Sequence, residues 1–427
     1  LFILIFITVN FVTKNSQSCN VNAHLNKARY DNYRLYRLQL ESDEHVKLLE
    51  ELEDKSDSYT FYGHARFVGQ NLTIMVAAHK IAEIHDLMDR YKIQGNILMN
   101  NIQELIDLED VTIKSKNTPL SEFDWNHYFH LETINEWLDK LTTQYDYVTK
   151  ISLSPTYEND KIIGVRLSKN ENNPTIFLEC GIHAREWIAP ATCTFILNEL
   201  VTSKDTEIND LVNILNFVIF PVVNPDGYKY TFESDRLWRK NRKPYGLCRG
   251  VDLNRNFDSN WGGIGTSDDP CRYDFCGGSA ASEPEVQLIQ NYIQDHVDKD
   301  KIKMYLAVHS FSQLLMFPFG YKNETPSNFD DLDLVTRKAV AAIKNTHGKT
   351  YVSGQLISTI YPSSGDSTDW AYESASIPLS FIVELRGPAD STNMFILPAN
   401  EIKPTAEEIL VALKTILQEA KKLNYFS

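Results

Sequence analysis

The stretch TIFLECGIHAREW, residues 175–187, carries the clearest structural signal in the chain. Its first six residues form a mostly apolar run whose length suits a buried strand, and a glycine and polar side chains follow directly. Polar loops of this kind lie at the carboxyl ends of strands in a central parallel sheet. The pattern therefore predicts a strand over 175–180 with a functional loop after it.

From about residue 125 the chain repeats this alternation of strands and helices. The further buried strands that we predict are Phe217–Val223, Met304–Val308 and Leu379–Leu385. The predicted helices are Leu131–Thr143, Ala191–Val201, Ser282–Asp295, Leu332–Thr346 and Ala406–Lys422. Strands that alternate with helices are typical of an α/β domain built on a central sheet.

The loop after the first strand contains an H-x-x-E pair, His183 and Glu186. Both side chains can point into one site, and an imidazole nitrogen with a carboxylate oxygen suits zinc. A catalytic zinc site takes three protein ligands, and His309 follows another predicted strand at the position where a third ligand is needed. Taken alone, an H-x-x-E pair is a weak signal, and a surface ion pair at helix spacing would be its default interpretation.

Residues 30–107 have a different texture, with shorter strands and helices. The predicted order is strand Tyr33–Leu40, helix Glu44–Leu52, strand Tyr59–Ala65, strand Leu72–Ala77, helix Lys80–Tyr91 and strand Gly95–Asn101. This βαββαβ order is that of a small ferredoxin-like sandwich. Residues 108–124 are polar and lack apolar periodicity, which predicts a linker, and Lys114 and Lys116 make it a trypsin-type cleavage site.

Composition limits the class of protein and its partners. The chain has 427 residues, of which 43% are hydrophobic and 23% charged, as in a globular protein with a large domain and a smaller one. Its formal charge of −15 repels phosphate backbones. We therefore expect neither nucleic acid nor a membrane as a partner.

The N-terminal sequence predicts secretion. Residues 1–12 are apolar but too short to span a bilayer, and they resemble the apolar core of a secretory signal cleaved between Thr13 and Ala23. A buried strand is the alternative. An oxidising compartment would allow two disulfides among the last five of the six cysteines, although spacing alone does not fix their pairing. The sequons at Asn71 and Asn323 would become glycosylation sites in a secreted chain.

The order of motifs along the chain resembles that of the zinc metallocarboxypeptidases of the pancreatic carboxypeptidase A/B group, in zymogen form. The motifs are ARYDNYRLYRL at 28–38, ECGIHAREW, RLWRKNR, GVDLNRNF, VHSFSQLL, SGDSTDW and VELR. The resemblance implies an α/β fold with a mixed central β-sheet flanked by helices, preceded by a small ferredoxin-like α+β pro-domain. The implied segments are a signal-like 1–19, an inhibitory pro-domain 24–107, an activation linker 108–124 and a catalytic domain 125–427.

The resemblance also assigns the reacting groups. It implies one Zn²⁺ per chain, held by His183, Glu186 and His309, and Glu384 as the general base that moves a proton from zinc-bound water to the leaving amine. A salt bridge to Arg386 is the alternative role for Glu384. Arg239 is implied to stabilise the oxyanion, whereas a basic run such as 236–242 is more often a solvated face.

Substrate contacts are likewise implied residue by residue. Asn254 and Arg255 match the pair that grips the terminal carboxylate of the substrate, for which the planar guanidinium is suited. Tyr361 matches a mobile tyrosine that closes over the bound end. Arg185 and Phe311 match positions of the outer subsites, with Phe311 where the family usually has tyrosine.

The specificity pocket departs from both types of the family. Thr368 stands at the pocket-floor position, which is apolar in A-type enzymes and Asp in B-type enzymes. Asp366 occupies a usual glycine position and could pair with a Lys or Arg side chain, whereas Leu356 and Ile382 give apolar walls. We predict a mixed apolar and basic preference, with an N-cap or turn role near Gly365 as the alternative for Asp366.

The remaining implications concern folding and control. Cys248–Cys271 and Cys180–Cys193 match bridges of the family, and Cys276 has no evident partner. The pro-domain is implied to cover the cleft until a trypsin-like protease cuts near Lys114 or Lys116. We therefore expect a secreted, monomeric exopeptidase acting on peptide and protein C-termini. A prohormone-processing relative and a catalytically silent scaffold are the alternatives.

Overall fold

The computed structural model describes residues 27–55, 58–116, 118–298, 301–388 and 391–426. The predicted signal segment, its cleavage site and Cys19 lie outside these residues. No helix in the described ranges combines the length and the apolarity needed to cross a bilayer.

The N-terminal part of the chain forms a four-stranded antiparallel sheet covered by helices on one face. Its elements are β1 (Arg34–Gln39), α1 (Asp43–Lys55), β2 (Tyr59–Tyr62), β3 (Asn71–Val76), α2 (Ile81–Tyr91) and β4 (Gln94–Met99), followed by α3 (Gln103–Asp110). The strand order is β2-β3-β1-β4. This is the predicted βαββαβ sandwich, and the structure confirms it. We call it the N-terminal domain.

The two inner strands of this small sheet, β1 and β3, are largely buried on both faces. Tyr36 and Leu38 of β1 pack against the helices of the N-terminal domain. Leu35 of β1 and Met75 of β3 lie on the opposite face, in a cluster with Phe311 and Phe395 from the second domain. Alternation along the strands thus provides one face for the domain's own core and one for the contact with the second domain.

The second domain is built on an eight-stranded sheet. Its elements are α4 (Leu131–Gln144), β5 (Val148–Leu153), β6 (Ile162–Leu167), β7 (Thr175–Cys180), α5 (Ile188–Thr202), α6 (Thr206–Ile214), β8 (Asn216–Phe220), α7 (Pro225–Glu233), β9 (Pro244–Tyr245), β10 (Cys248–Arg249), α8 (Pro284–His296), β11 (Ile302–His309), β12 (Leu314–Phe317), α9 (Phe329–His347), β13 (Val352–Gln355), α10 (Leu356–Thr359), α11 (Ser367–Glu373), β14 (Leu379–Glu384) and α12 (Ile402–Lys422). Strands β9 and β10 form a separate hairpin, and the large sheet has the order β13-β12-β14-β11-β7-β8-β6-β5.

The centre of the large sheet is parallel and its two sides are mixed. Strands β14, β11, β7 and β8 run parallel to one another, and these are the four strands predicted from apolar runs. Strands β6 and β12 pair with this centre antiparallel. The structure therefore confirms a mixed central sheet flanked by helices.

Alternate residues of the central strands enter separate cores on the two faces of the sheet. Leu178, Val308 and Val383 belong to the larger core, which contains residues of α5, α9 and α12. Phe177 and Ile382 belong to the core on the other face, with residues of α8 and α11. Burial on both faces explains why these strands appear as near-continuous apolar runs in the sequence.

Two disulfides brace the loops beyond the sheet. Cys180 at the end of β7 is bonded to Cys193 of α5, and Cys248 is bonded to Cys271. The pairing implied by the family resemblance is therefore present. Cys276 is a free, buried cysteine.

The described residues of the segment 108–124 contain more regular structure than their composition suggests. Helix α3 extends into it as far as Asp110, and Ile113 forms an isolated bridge with Tyr128. Lys114 lies 3.0 Å from Glu122, and Lys116 lies 2.8 Å from Glu233. With 44% of its side chain exposed, Lys116 is the more accessible of the two lysines, since Lys114 is 29% exposed.

Candidate active site

Strand ends bring together residues that are far apart in the sequence. His309 ends β11 and Glu384 ends β14, and these two residues are direct partners in the register of the two strands. His183 lies three residues beyond the end of the neighbouring strand β7. Because the central strands are parallel, their carboxyl ends meet at one edge of the sheet.

Gly181 permits the sharp turn between β7 and His183. Its φ is +66°, and an added Cβ would lie 3.0 Å from the Pro221 carbonyl oxygen and 3.0 Å from Cγ of Pro190. A side chain at this position would be strained by both its backbone conformation and its neighbours. Glycine therefore lets the chain carry His183 and Glu186 back over the sheet edge.

Three possible metal ligands converge at this edge. His183 Nδ1 lies 2.8 Å from Glu186 Oε1 and 3.1 Å from His309 Nδ1. His309 Nδ1 lies 3.3 Å from Glu186 Oε2, and all three residues are buried. Two imidazole nitrogens and one carboxylate oxygen are the ligand set of a catalytic zinc site, so the residues present fit the ion.

Asp252 positions two groups of the site at once. One of its oxygens lies 3.0 Å from His183 Nε2, and the other accepts from Arg239 Nε at 3.0 Å and Nη2 at 2.8 Å. A proton on His183 Nε2 directed at this carboxylate leaves the Nδ1 lone pair facing Glu186 and His309. Although burial alone would raise its pKa, the charges of Arg239 and His183 lower the pKa of Asp252 well below its ordinary value.

Asp252 was not predicted from the sequence as a site residue. Its only signal is its place in the motif GVDLNRNF, two residues before Asn254. Phe395 of the cavity wall was also missed, since nothing in the sequence near residue 395 distinguishes it from a core residue.

Glu384 is buried beside this cluster. Burial, reinforced by the negative charge of Glu186, raises the pKa of Glu384 well above its ordinary value, and three arginines act in the opposite direction. The alternative partner, Arg386, instead donates to Glu408 at 2.9 and 2.5 Å and to Glu401 at 2.5 Å. The alternative role for Glu384, a salt bridge to Arg386, is therefore not present: Arg386 forms its salt bridges with Glu401 and Glu408 instead.

A cavity of about 310 Å³ lies over the cluster, between the two domains. Most of the residues predicted for the site share it. From the second domain it is lined by His183, Arg185, Glu186, Arg239, Asn254, Arg255, His309, Phe311, Leu356, Tyr361, Asp366, Ile382 and Glu384, among others. Thr368 does not line this cavity and is fully buried.

Local contacts orient the residues predicted to hold the substrate carboxylate. Arg255 donates to the Gly265 carbonyl at 2.9 Å and to the Asn254 carbonyl at 2.7 Å. The Asn254 side-chain oxygen accepts from the Ser367 amide at 2.8 Å. These bonds hold a guanidinium and an amide in place at the cavity wall, where a planar carboxylate could meet both.

The N-terminal domain covers the opposite side of this cavity. Tyr62 packs against Phe311 and Phe395, with ring centroids 6.1 and 5.8 Å apart. His64 meets Tyr361 edge to face at 5.2 Å, and the Arg66 guanidinium lies 5.9 Å from the centroid of the same ring. Access to the candidate metal ligands is therefore restricted while this domain is in place.

Polar contacts outside the cavity hold the two domains together. Glu109 of α3 forms a buried ion pair with Arg236, whose guanidinium also stacks 3.7 Å from the Trp187 ring. Tyr30 donates to Asp235 at 2.7 Å, and Tyr273 donates to Glu53 at 2.9 Å. Arg236 lies in the predicted basic run, which is therefore largely buried rather than a solvated face.

Asp366 is the N-cap of helix α11. Its Oδ1 accepts from the amides of Thr368 at 3.1 Å and Asp369 at 2.9 Å. The N-cap role, which was the alternative prediction for Asp366, is therefore confirmed. Asp366 lines the cavity as well.

Comparisons with known proteins agree with this architecture. The sequence profile of the zinc carboxypeptidase family matches residues 134–412, and that of the carboxypeptidase activation peptide matches residues 36–109. Zinc carboxypeptidase A 1 of Anopheles gambiae is 40% identical over 401 residues, which are 93% of this chain and 92% of that protein. Carboxypeptidase B of Bos taurus is 33% identical over 410 residues, 92% of this chain and 95% of that protein.

A solved structure shows the same fold. The crystal structure of carboxypeptidase A from Helicoverpa armigera superposes with a TM-score of 0.82 at 28% identity, over 92% of this chain and 98% of that one. Both domains fall within the aligned length. The chain therefore belongs to the zinc carboxypeptidase family and is a procarboxypeptidase of the pancreatic carboxypeptidase A/B group, with its activation peptide at the N-terminal side.

Proposed function

We propose that this procarboxypeptidase, once cleaved, is an active exopeptidase that removes the C-terminal residue of peptides and proteins. The observation that carries the proposal is the meeting of three metal ligands, one buried glutamate and two fixed arginines around one cavity. A silent scaffold would not need all of these groups in mutual reach.

The residues divide the chemistry among them. His183, Glu186 and His309 would hold Zn²⁺, which supplies a Lewis acid and lowers the pKa of water when bound. Glu384 accepts a proton from the attacking water and returns it to the leaving amine. The proposed general base needs a pKa above that of an exposed carboxylate, and burial at the sheet edge supplies this shift in the right direction.

The arginines stabilise negative charges on the substrate. Arg239 is held by Asp252 and would stabilise the oxyanion that forms at the scissile carbonyl. Arg255 and Asn254 would grip the terminal carboxylate, which restricts hydrolysis to the last peptide bond. Tyr361 would close over the bound end, and Arg185 and Phe311 would contact residues further upstream. Leu356, Ile382, Asp366 and Thr368 stand as the specificity residues, with a mixed preference for apolar and basic C-terminal side chains.

Control by proteolysis completes the proposal. Residues 24–107 form the inhibitory domain, residues 108–124 the activation linker and residues 125–427 the catalytic domain. A trypsin-like protease would cut after Lys114 or Lys116, and the larger exposed fraction favours Lys116. Contacts of Tyr62, His64 and Arg66 with the cavity wall support the inhibition.

The remaining parts of the proposal concern the environment of the protein. We propose a secreted monomer, with residues 1–19 as the signal and with glycans at Asn71 and Asn323. Two disulfides and the exposure of both asparagines support an extracellular setting.

The test is C-terminal release by trypsin-treated protein from matched peptides that end in Phe, Leu, Lys or Arg. We expect release that a zinc chelator abolishes and that added zinc restores. Uncleaved protein serves as the control for inhibition by the N-terminal domain and should release far less. Zinc-loaded, cleaved protein that released no residue from any of the peptides would overturn the proposal in favour of a silent scaffold.

A further inference from the structure

Strand β3 of the N-terminal domain begins at the rim of the cavity, and its side chains alternate between two environments. Leu72 and Ile74 enter the domain's own core, whereas Met75 lies on the opposite face, in the apolar cluster shared with the second domain. Since successive side chains of a strand point to opposite faces, Asn71 and Thr73 face the same way as Met75. Both residues line the cavity, in agreement with this alternation.

Asn71 is the only residue of β3 that is exposed. It is the first residue of the strand, whereas Thr73, two residues further along, is 4% exposed. Asn71-Leu72-Thr73 is a sequon for N-linked glycosylation. The oligosaccharide is transferred to the extended chain before folding, so the burial of Thr73 is no obstacle. The folded protein must only leave the asparagine exposed, because the attached group is bulky and hydrated.

The protein leaves this part of the cavity open to solvent. The N-terminal domain contributes Asn71 and Phe67 to the cavity wall, and both are exposed. The second domain contributes Ile360 and Tyr361, which are half-buried. The contact of His64 with Tyr361 narrows the space between the domains, but a cavity of about 310 Å³ remains. A large group attached to Asn71 would therefore cover a gap that the protein itself does not close.

The surface next to Asn71 is suited to hold a sugar. Residues 67–70 form a turn directly before β3, in which the Gln70 amide donates to the Phe67 carbonyl at 3.4 Å. Phe67 and Val68 of this turn are 62% and 47% exposed. Exposed aromatic and aliphatic side chains can pack against the C–H faces of sugar rings. The turn thus favours a glycan that lies along the rim over one that extends into solvent.

The second sequon of the chain provides a comparison. Asn323 in Asn323-Glu324-Thr325 is also exposed, but it is not among the described residues that line the cavity. It belongs to the second domain, so a glycan there would remain after cleavage of the linker. A glycan on Asn71 would instead leave together with the N-terminal domain.

We propose that an N-linked oligosaccharide on Asn71 lies across the opening of the cavity and reinforces inhibition by the N-terminal domain. It restrains the uncleaved protein only, because the cleaved enzyme no longer carries it. This inference rests on the proposed secretion and exopeptidase activity. It gives the two sequons different roles, one in the control of activity and one at a surface remote from the cavity.

The test uses full-length protein secreted from glycosylating cells, with mass spectrometry to determine the occupancy of each sequon. Zinc-loaded, uncleaved Asn71→Gln should hydrolyse a long peptide several-fold faster than uncleaved wild type. A blocked dipeptide should show a smaller difference, because a shield excludes long chains more than short ones. After cleavage and removal of the N-terminal domain, kcat/KM should be equal in both proteins. Asn323→Gln is the matched control and should behave as wild type in both states.

Capture of zinc from the uncleaved proteins by a chelating dye is a second readout that does not depend on hydrolysis. Capture should be faster in Asn71→Gln than in wild type, and faster in wild type after enzymatic removal of its glycans. If no cleaved protein hydrolyses any peptide, the exopeptidase proposal fails, and the capture rates still decide the role of the glycan. Unmodified Asn71 in the secreted protein, or equal capture rates with and without its glycan, would overturn the inference.

Discussion

Two groups of buried acidic side chains lie close together in this molecule, and their pKa values are shifted in opposite directions. In the metal-ligand region, burial would raise the pKa of Asp252 and of Glu186, but neighbouring histidines, and for Asp252 the charge of Arg239, lower both. In the second region, which lies beneath and around the first turn of α11, burial dominates. It raises the pKa of Glu179 to about 8 and also raises that of Asp366 and Asp369.

The difference shows that burial alone does not set the ionisation of a carboxyl group. Arg239 donates to Asp252 Oδ2 through both Nε and Nη2, while the other oxygen of Asp252 faces His183 Nε2. Glu179 has no cationic partner among the described residues, and only a hydrogen bond with Ser367 opposes the effect of burial on its pKa. A compensated carboxylate stays charged and can orient a ligand, whereas an uncompensated one retains its proton.

The largest expected effect concerns Glu384. It lies beside the metal ligands, yet burial raises its pKa although three arginines act in the opposite direction. Glu384→Gln keeps the shape of the side chain and removes its capacity to transfer a proton. We expect kcat of the activated protein to fall by about 10²–10⁴-fold, the range typical of a general base. Glu373→Gln, which changes an exposed carboxylate that accepts from Tyr321, is the control. Near-wild-type turnover in Glu384→Gln would show that another group is the base.

The ion pair between the domains tests what an unpaired buried charge costs. Glu109→Ala would leave the Arg236 guanidinium buried without its carboxylate. Breaking such a pair should lower the free energy of unfolding of the uncleaved chain by about 3–5 kcal/mol in chemical denaturation. Asp333→Ala breaks an exposed pair with Arg337 and should cost less than about 1 kcal/mol. Equal losses in the two variants would contradict the importance of burial.

A change at Asp252 tests the metal-ligand region, where neighbouring positive charges lower the pKa of the carboxylates. Asp252→Asn removes the charge that faces both His183 Nε2 and Arg239, so His183 is oriented less firmly. We expect the affinity for zinc, measured by competition with a chelating dye, to fall by about 10–100-fold. Asp274→Asn, in a nearby carboxylate that pairs with Arg272, should leave zinc affinity unchanged. An unaltered affinity in Asp252→Asn would mean that the metal ligands are oriented without this residue.

The last expected effect is the pH dependence contributed by Glu179. Its pKa is raised from 4.5 to about 8 by burial, so between these values the unfolded chain loses a proton that the folded chain keeps. This contribution to stability is therefore present below pH 4.5 and is lost as the pH rises towards 8.

Glu179→Gln should make the unfolding free energy of the protein fall less between those pH values than it does in wild type. The slope should not vanish, because Asp366 and Asp369 have raised pKa values as well. Denaturation midpoints over this pH range provide the measurement. Parallel curves for variant and wild type would show that Glu179 is ionised in the folded protein.

Much of the fold was predictable because a strand that is buried on both faces is a continuous run of apolar residues in the sequence. The four central strands are apolar runs, and the structure places strands at all four, with bounds that differ by at most a few residues. Strands β5, β6, β12 and β13 were not predicted. Strands β6 and β12 are buried and were missed all the same, whereas β5 lies at one side of the sheet and exposes three of its six residues. A half-exposed strand with polar residues has no pattern that separates it from a loop.

By itself the sequence determined that His183, Glu186, His309 and Glu384 follow apolar strands, and parallel pairing then brings such strand ends to one edge. Only the tertiary structure decided which partners these groups have. It places Asp252 beside His183 and pairs Arg386 with Glu408. It also places Asp366, and not Thr368, in the cavity wall. The physical reason is that strand formation depends on neighbours in the sequence, whereas orientation and ionisation depend on charges and hydrogen bonds from residues distant along the chain.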